Sequence, residues 1–147
     1  MAETQSAEQG KGTLRAKPDS FVMVVEDDEV FRWLLTEALK KEGFEVLTAV
    51  NGKEALELYR EKAGKVWLVV SDVIMPGMDG LTAAMEMRKV DDRAFFIFMS
   101  GYDSARIEGI GVRMEDIPRS EFFRKPFAFK DMAERIRTLE REKAAGS

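Results

Sequence analysis

Three short apolar runs in this chain each stop abruptly at an acid or a hydroxyl, and that punctuation restricts the folds open to it. Val22-Met23-Val24-Val25 runs into Glu26-Asp27-Asp28, Val66-Trp67-Leu68-Val69-Val70-Ser71 into Asp72, and Phe95-Phe96-Ile97-Phe98-Met99 into Ser100-Gly101. Continuous apolar runs of this length suit strands covered on both faces, as in a parallel sheet. Helical patterns lie between them. Phe31, Leu34, Leu35, Ala38 and Leu39 fall on one face of a helix closed by Lys40, Lys41 and Gly43. Ala55, Leu56 and Tyr59 follow Asn51-Gly52, and Leu81, Ala84, Met85 and Arg88 share a face of the segment Gly80 to Val90. Phe44 to Val50 and Glu121 to Arg124 are expected as further strands, and Met132, Ile136 and Leu139 point inward from a final helix. Strands alternating with helices imply an α/β fold, a doubly wound five-stranded parallel sheet with right-handed crossovers and helices on both faces. Between Ser100 and Glu121, Gly109, Gly111 and Pro118 leave room for only a short helix.

The length of 147 residues allows one domain with a real core. Residues 1–19 are polar and carry a single leucine, so they read as a disordered tail or linker; the domain is expected over 20–142, with 143–147 a disordered C-terminal tail. No apolar stretch approaches the ~20 residues of a membrane span, and Met1 to Ser20 lack the apolar middle of a signal peptide. A formal charge of −4, with no basic stripe, argues against direct nucleic acid binding. The chain has no cysteine and hence no disulfide framework, which fits a cytoplasmic protein. It also has no histidine, which excludes a Ser-His-Asp triad, a His-Cys zinc site and a phosphorylated histidine of its own. The nine methionines are better explained by core filling and loop packing than by a soft metal site.

In an open parallel sheet, ligands bind outside the carboxyl ends of the strands where the strand order reverses. Acidic residues at two such ends, Glu26-Asp27-Asp28 and Asp72, predict like charges gathered in one crevice. Folding gains nothing from that repulsion, so the cluster points to chemistry. Asp28 is placed to cap the helix that follows, and Glu29 is solvated first-turn charge.

Taken together, Val24-Val25-Glu26-Asp27, Ser71-Asp72 with Met75-Pro76-Gly77-Met78-Asp79-Gly80, Met99-Ser100-Gly101 and Lys125-Pro126-Phe127 resemble the receiver domain of two-component response regulators over about residues 20–142. The resemblance implies the flavodoxin-like strand order 2-1-3-4-5. It implies that Asp72 is the phosphoacceptor, forming an acyl phosphate as a covalent nucleophile. It assigns the metal site to Glu26, Asp27, Asp72 and the backbone carbonyl of Ile74, with Asp27 a direct ligand and Glu26 acting through water. Hard oxygen donors suit Mg²⁺, with Mn²⁺ as a substitute. Lys125 would bind the phosphoryl group beside a cis Lys-Pro bond, Ser100 would donate to a phosphoryl oxygen, and Phe122 would stand at the aromatic switch position.

The implied partner is a histidine kinase or a histidine phosphotransfer protein, and a homodimer is a state such domains adopt. Met99-Ser100-Gly101-Tyr102 is more similar to receivers of hybrid histidine kinases than to those joined to DNA-binding domains, and the N-terminal segment would suit a linker from such a kinase. No output domain follows Ser147 in this sequence. Tyr102, two residues past Ser100, is a candidate for slowing hydrolysis by excluding water. Other readings are a phosphohydrolase with an aspartyl intermediate, a flavin or nucleotide module, and a non-phosphorylated docking module. The first would need an acid/base two residues after Asp72, where Ile74 stands; the second would need a glycine-rich loop after the first strand, where Glu26-Asp27-Asp28 stand.

Overall fold

The computed structural model describes residues 20–101, 107 and 109–146. Its elements in chain order are β1 (Phe21–Val25), α1 (Glu29–Lys41), β2 (Glu45–Ala49), α2 (Gly52–Glu61), β3 (Val66–Asp72), α3 (Gly80–Val90), β4 (Phe95–Ser100), a 3₁₀ turn at Met114–Asp116, β5 (Ser120–Arg124) and α4 (Phe129–Gly146). The five strands are parallel and ordered β2-β1-β3-β4-β5, which is the expected 2-1-3-4-5 arrangement. The strand order reverses between β1 and β3, so their C-terminal tips flank the crevice where a ligand binds in such sheets.

Alternation along the strands divides the core into two layers. Met23, Val25, Val69, Phe96 and Phe98 face Ala55, Leu56 and Tyr59 of α2 and Leu81, Ala84 and Met87 of α3. Val22, Val24, Leu68, Val70, Ile97 and Met99 face Leu35 and Leu39 of α1 and Met132, Ile136 and Leu139 of α4. Because the side-chain period is two, a one-residue slip of any central strand would exchange these layers, so the register is strongly specified. Each fully buried Val, Leu or Phe contributes about 1.5–3 kcal/mol relative to exposure.

Side chains punctuate the helices as the residue types dictate. Asp28, Asn51 and Asp79 accept from the amides of Phe31, Glu54 and Thr82 at 2.9, 2.8 and 2.8 Å. These caps satisfy amide donors that have no carbonyl partner in the first turn. Beyond α1, Gly43 takes φ of 94°, the left-handed conformation that ends the helix.

Several sequence expectations are corrected. Leu34 is 41% exposed, not core, because the buried stripe of α1 runs through Leu35 and Leu39 and Leu34 lies to its side. Met85 and Arg88 are only half-buried on α3, where Ala83 and Met87 take the inward positions. Arg88 instead donates from Nη2 to the carbonyls of Ala94 and Pro118 at 3.0 and 2.7 Å. The second strand is one residue shorter at each end than expected. Residues 143–146, expected as a tail, continue α4, whose composition of Ala, Glu, Lys and Arg favours helix to its end. Residues 1–19 and Tyr102 lie outside the described residues.

Gly80 begins α3 where the chain returns over Asp72. Its amide donates to the Val73 carbonyl at 2.8 Å, and Val73 N–H donates to the Met99 carbonyl at 2.9 Å, so the loop from Val73 to Asp79 is closed on β3 and β4. A Cβ on Gly80 would collide with the backbone carbonyl of Asp72. Alanine would gain up to ~1 kcal/mol of helix propensity, but the clash with backbone costs about 1–3 kcal/mol or more, so the steric loss wins. Gly80→Ala is expected to lower unfolding free energy in urea, and an unchanged or raised midpoint would show that the loop yields freely.

Candidate functional site

Three carboxylates meet at the tips of β1 and β3. Glu26, Asp27 and Asp72 each offer an oxygen, and these oxygens lie within 4.8 Å of one another. Glu26 and Asp72 are buried, at 1% and 5% exposure, while Asp27 opens to solvent. At about 4 Å a pair of unit charges repels by ~4 kcal/mol near a protein surface, against ~1 kcal/mol in water. The backbone places them regardless, because Glu26 directly follows β1, with its amide bound to the Ala49 carbonyl at 3.1 Å, and Asp72 ends β3 opposite Met99 of β4.

One cation answers them from across the sheet. Lys125 Nζ lies 2.8 Å from Glu26 Oε1 and 3.6 Å from Asp72 Oδ1. The lysine is carried there by β5, whose pairing with β4 ends at Ser100↔Arg124, and its own amide donates to the Ser100 carbonyl at 3.0 Å. The following Lys125–Pro126 bond is cis. The other Glu26 oxygen, Oε2, accepts from the Asp28 amide at 3.0 Å, and Arg32 Nη1 donates to the Glu26 carbonyl at 2.9 Å. Both carboxylate oxygens of Glu26 are thus engaged within the protein, whereas Asp27 stands at the open side.

Electrostatics follow from this packing. Burial, and next the charge of Glu26, push the Asp72 carboxyl up from 3.8 to about 7, against the pull of Lys125. Burial pulls the Lys125 ammonium down, but the hydrogen bond to Glu26 and the charge of Asp72 outweigh it and leave its pKa above the usual lysine value. Hard oxygens in a partly open crevice form a donor set that fits a divalent cation of the Mg²⁺ type.

The remaining predicted residues fall around this centre with different exposures. Ser100, at 1% exposure, ends β4 beside the lysine. Ile74 is half-buried in the loop two residues past Asp72, with its side chain against the α2–α3 layer. Phe122 is 40% exposed on edge strand β5, opposite Phe98 in register. A contact that sequence reasoning missed is Phe31, whose ring centroid lies 4.2 Å from Lys125 Nζ. Its position three residues after the Asp28 cap, on the first turn next to the acids, was the available signal.

A flavodoxin-like sheet thus gathers three carboxylates and a lysine at its strand tips. Residues 22–137 match the response regulator receiver domain family. The chain is 37% identical over 118 residues to the sensor kinase CckA of Brucella abortus (strain 2308), covering 80% of this chain and 12% of that kinase. It is 36% identical over 118 residues to the chemotaxis protein CheY of Bacillus subtilis (strain 168), covering 78% of this chain and 92% of that protein. It spans about half the length of the transcriptional regulators it matches, for example 46% of ycf27 of Porphyra purpurea. Among solved structures, the receiver domain of the hybrid histidine kinase CckA aligns with a TM-score of 0.67 at 35% identity, covering 80% of this chain and 95% of that one. The response regulator TrrA of Thermotoga maritima, in complex with Mg²⁺ and BeF, aligns with a TM-score of 0.68 at 34% identity, covering 82% and 98%. The chain belongs to the response regulator receiver domains of two-component systems.

The raised Asp72 pKa has a defined consequence for stability without metal. The folded chain keeps a proton that the unfolded chain releases from about pH 4, so this group's contribution to stability declines as pH rises from about 4 to about 7 and is level above that. Asp72→Asn keeps the shape without the charge. In chelator, the variant is expected to melt several degrees above wild type at about pH 8 and to lack the decline across that window. Parallel pH profiles for the two proteins would contradict the burial assigned to this carboxyl.

Proposed function

We propose that the chain accepts a phosphoryl group on Asp72 from the phosphohistidine of a histidine kinase or histidine phosphotransfer protein, in a Mg²⁺-dependent reaction, and changes conformation to pass the signal on. The observation that carries this reading is the convergence of Glu26, Asp27 and Asp72 within 4.8 Å, with Lys125 reaching across to them. An Asp72 carboxylate oxygen attacks phosphorus as the phosphorus–nitrogen bond breaks, and the donor imidazole leaves with the bonding pair. Lys125 shifts its ion pair toward the incoming phosphoryl oxygens, and the Ser100 hydroxyl donates to one of them. Asp27 and Asp72, with the Ile74 carbonyl, would hold the cation, and Glu26, both of whose oxygens are already engaged, would act on it through water. When bound, Mg²⁺, or Mn²⁺ in its place, supplies positive charge that offsets the carboxylates and the phosphoryl oxygens. Phe122 is the candidate switch residue, since it is exposed on the edge strand that also carries the chain to Lys125.

The chain is a signalling phosphoacceptor rather than a turnover enzyme, since Ile74 offers no acid or base at the position a phosphohydrolase needs. The similarity to CckA of Brucella abortus supports a receiver of the hybrid kinase type. The reading places the chain in the cytoplasm, and among the described residues no helix is long and apolar enough to cross a membrane.

Incubation with acetyl phosphate or phosphoramidate and Mg²⁺, followed by intact-mass measurement, is expected to add one phosphate to wild type and none to Asp72→Asn. Uptake by the variant, or none by wild type, would overturn the assignment. Mg²⁺ at about ten times its dissociation constant should stabilise wild type by ~1.4 kcal/mol, raising its melting temperature by about 3–6 °C. Asp27→Asn should lose most of that rise; equal rises in both proteins would remove Asp27 as a ligand.

A further inference from the structure

Lys125 is held by more than its carboxylates. Its ammonium nitrogen lies 4.2 Å from the centroid of the Phe31 ring, well inside the range in which an aromatic face attracts a cation. That ring is itself fixed. Phe31 meets Phe127 and Phe129 edge-on at 5.8 and 5.3 Å, and Phe127 meets Phe123 and Phe129 at 5.4 and 6.1 Å, all steeply inclined. The four rings come from α1, β5, the segment after Lys125 and the start of α4, and they pack against the α1–α4 layer of the core. The ammonium therefore rests on an aromatic wall on one side and faces two carboxylates on the other.

We propose that Phe31 is a positioning residue for Lys125, its ring face holding the ammonium at the crevice while the lysine exchanges Glu26 for a phosphoryl oxygen on Asp72. This rests on the function proposed above. The physical basis is a difference in directionality. Leaving Glu26 breaks a hydrogen bond of fixed geometry, whereas a cation can slide over a π-face with little loss. The lysine thus stays confined to the crevice during the exchange and does not swing into solvent, where its four-carbon stem would regain rotamer freedom. The ring also denies water one flank of the ammonium, which strengthens its pull on the phosphoryl oxygens. Leucine at position 31 would fill much of the same space without a π-face, and tyrosine would keep it.

The test uses the full chain as wild type, Phe31→Leu and Phe31→Tyr, with two independent readouts. Side-chain NMR of Lys125, assigned through its loss in Lys125→Arg, is expected to show ε-methylene protons shifted upfield by the ring current in wild type and Phe31→Tyr but not in Phe31→Leu. Phosphorylation by acetyl phosphate with Mg²⁺ is expected to slow about two- to fivefold in Phe31→Leu and to stay within about twofold of wild type in Phe31→Tyr. An unshifted Lys125 resonance in wild type overturns the placement. A shift that disappears in Phe31→Leu with no change in rate overturns the positioning role, and equal slowing in both variants assigns the effect to packing instead. A wild type that takes up no phosphate removes the proposed function, while the Lys125 resonance still decides the placement.

Discussion

Three acids share a crevice with one lysine, and much of the architecture around the strand tips follows from keeping that imbalance tolerable. Glu26 is buried and gives one oxygen to Lys125 and the other to the backbone of Asp28, so its charge is met twice. Among the described residues Asp72 has the longer lysine contact, 3.6 Å, and the rise of its pKa to about 7 reduces the repulsion when no cation is bound. Asp27 avoids the cost by facing water. Protonation and cation binding are therefore alternative answers to one electrostatic problem, and only the second leaves Asp72 ionised, as the proposed function requires.

The loop beyond Asp72 must keep this arrangement open without letting it drift. Two backbone hydrogen bonds, Gly80 to Val73 and Val73 to Met99, tie its ends to β3 and β4, and Gly77 turns with φ of 78° in its middle. Asp79 then caps α3 and holds the Thr82 hydroxyl at 2.8 Å as well as its amide. The closest approach, Gly80 over the Asp72 carbonyl, leaves no room for a side chain. The strand tip that carries Asp72 thus gains rigidity from glycine placement and capping.

Much of this was legible in the chain because it depends on short-range rules. Strand ends marked by acids, caps at Asp28 and Asn51, and the inward residues of α2 and α4 follow from period and residue type. Leu34 misled because hydropathy alone does not say which part of an apolar stripe the sheet will cover; Leu34 and its exposed neighbours Val30 and Trp33 lie outside the buried stripe. Arg88 misled because a long side chain can lie along the core while its guanidinium serves carbonyls of another segment. The pairing of Lys125 with Glu26 and Phe31 spans 99 and 94 positions, separations at which no local pattern reports a contact.

The two core layers also meet at the crevice. Val73, next to Asp72, packs into the α2–α3 layer, while Phe31, against the Lys125 ammonium, and Phe127, two residues after the lysine, pack on the α1–α4 layer. The ion pair between Lys125 and the strand-tip acids therefore joins side chains anchored in opposite faces of one sheet. On the proposed function, a charge added at Asp72 would change the pull on both anchors at once, and close-packed interiors deform little by small degrees, which leaves the exposed edge strand β5, with Phe122, as the element free to respond. The sheet order gives β5 both roles: it is at once the edge strand and the strand that delivers the lysine.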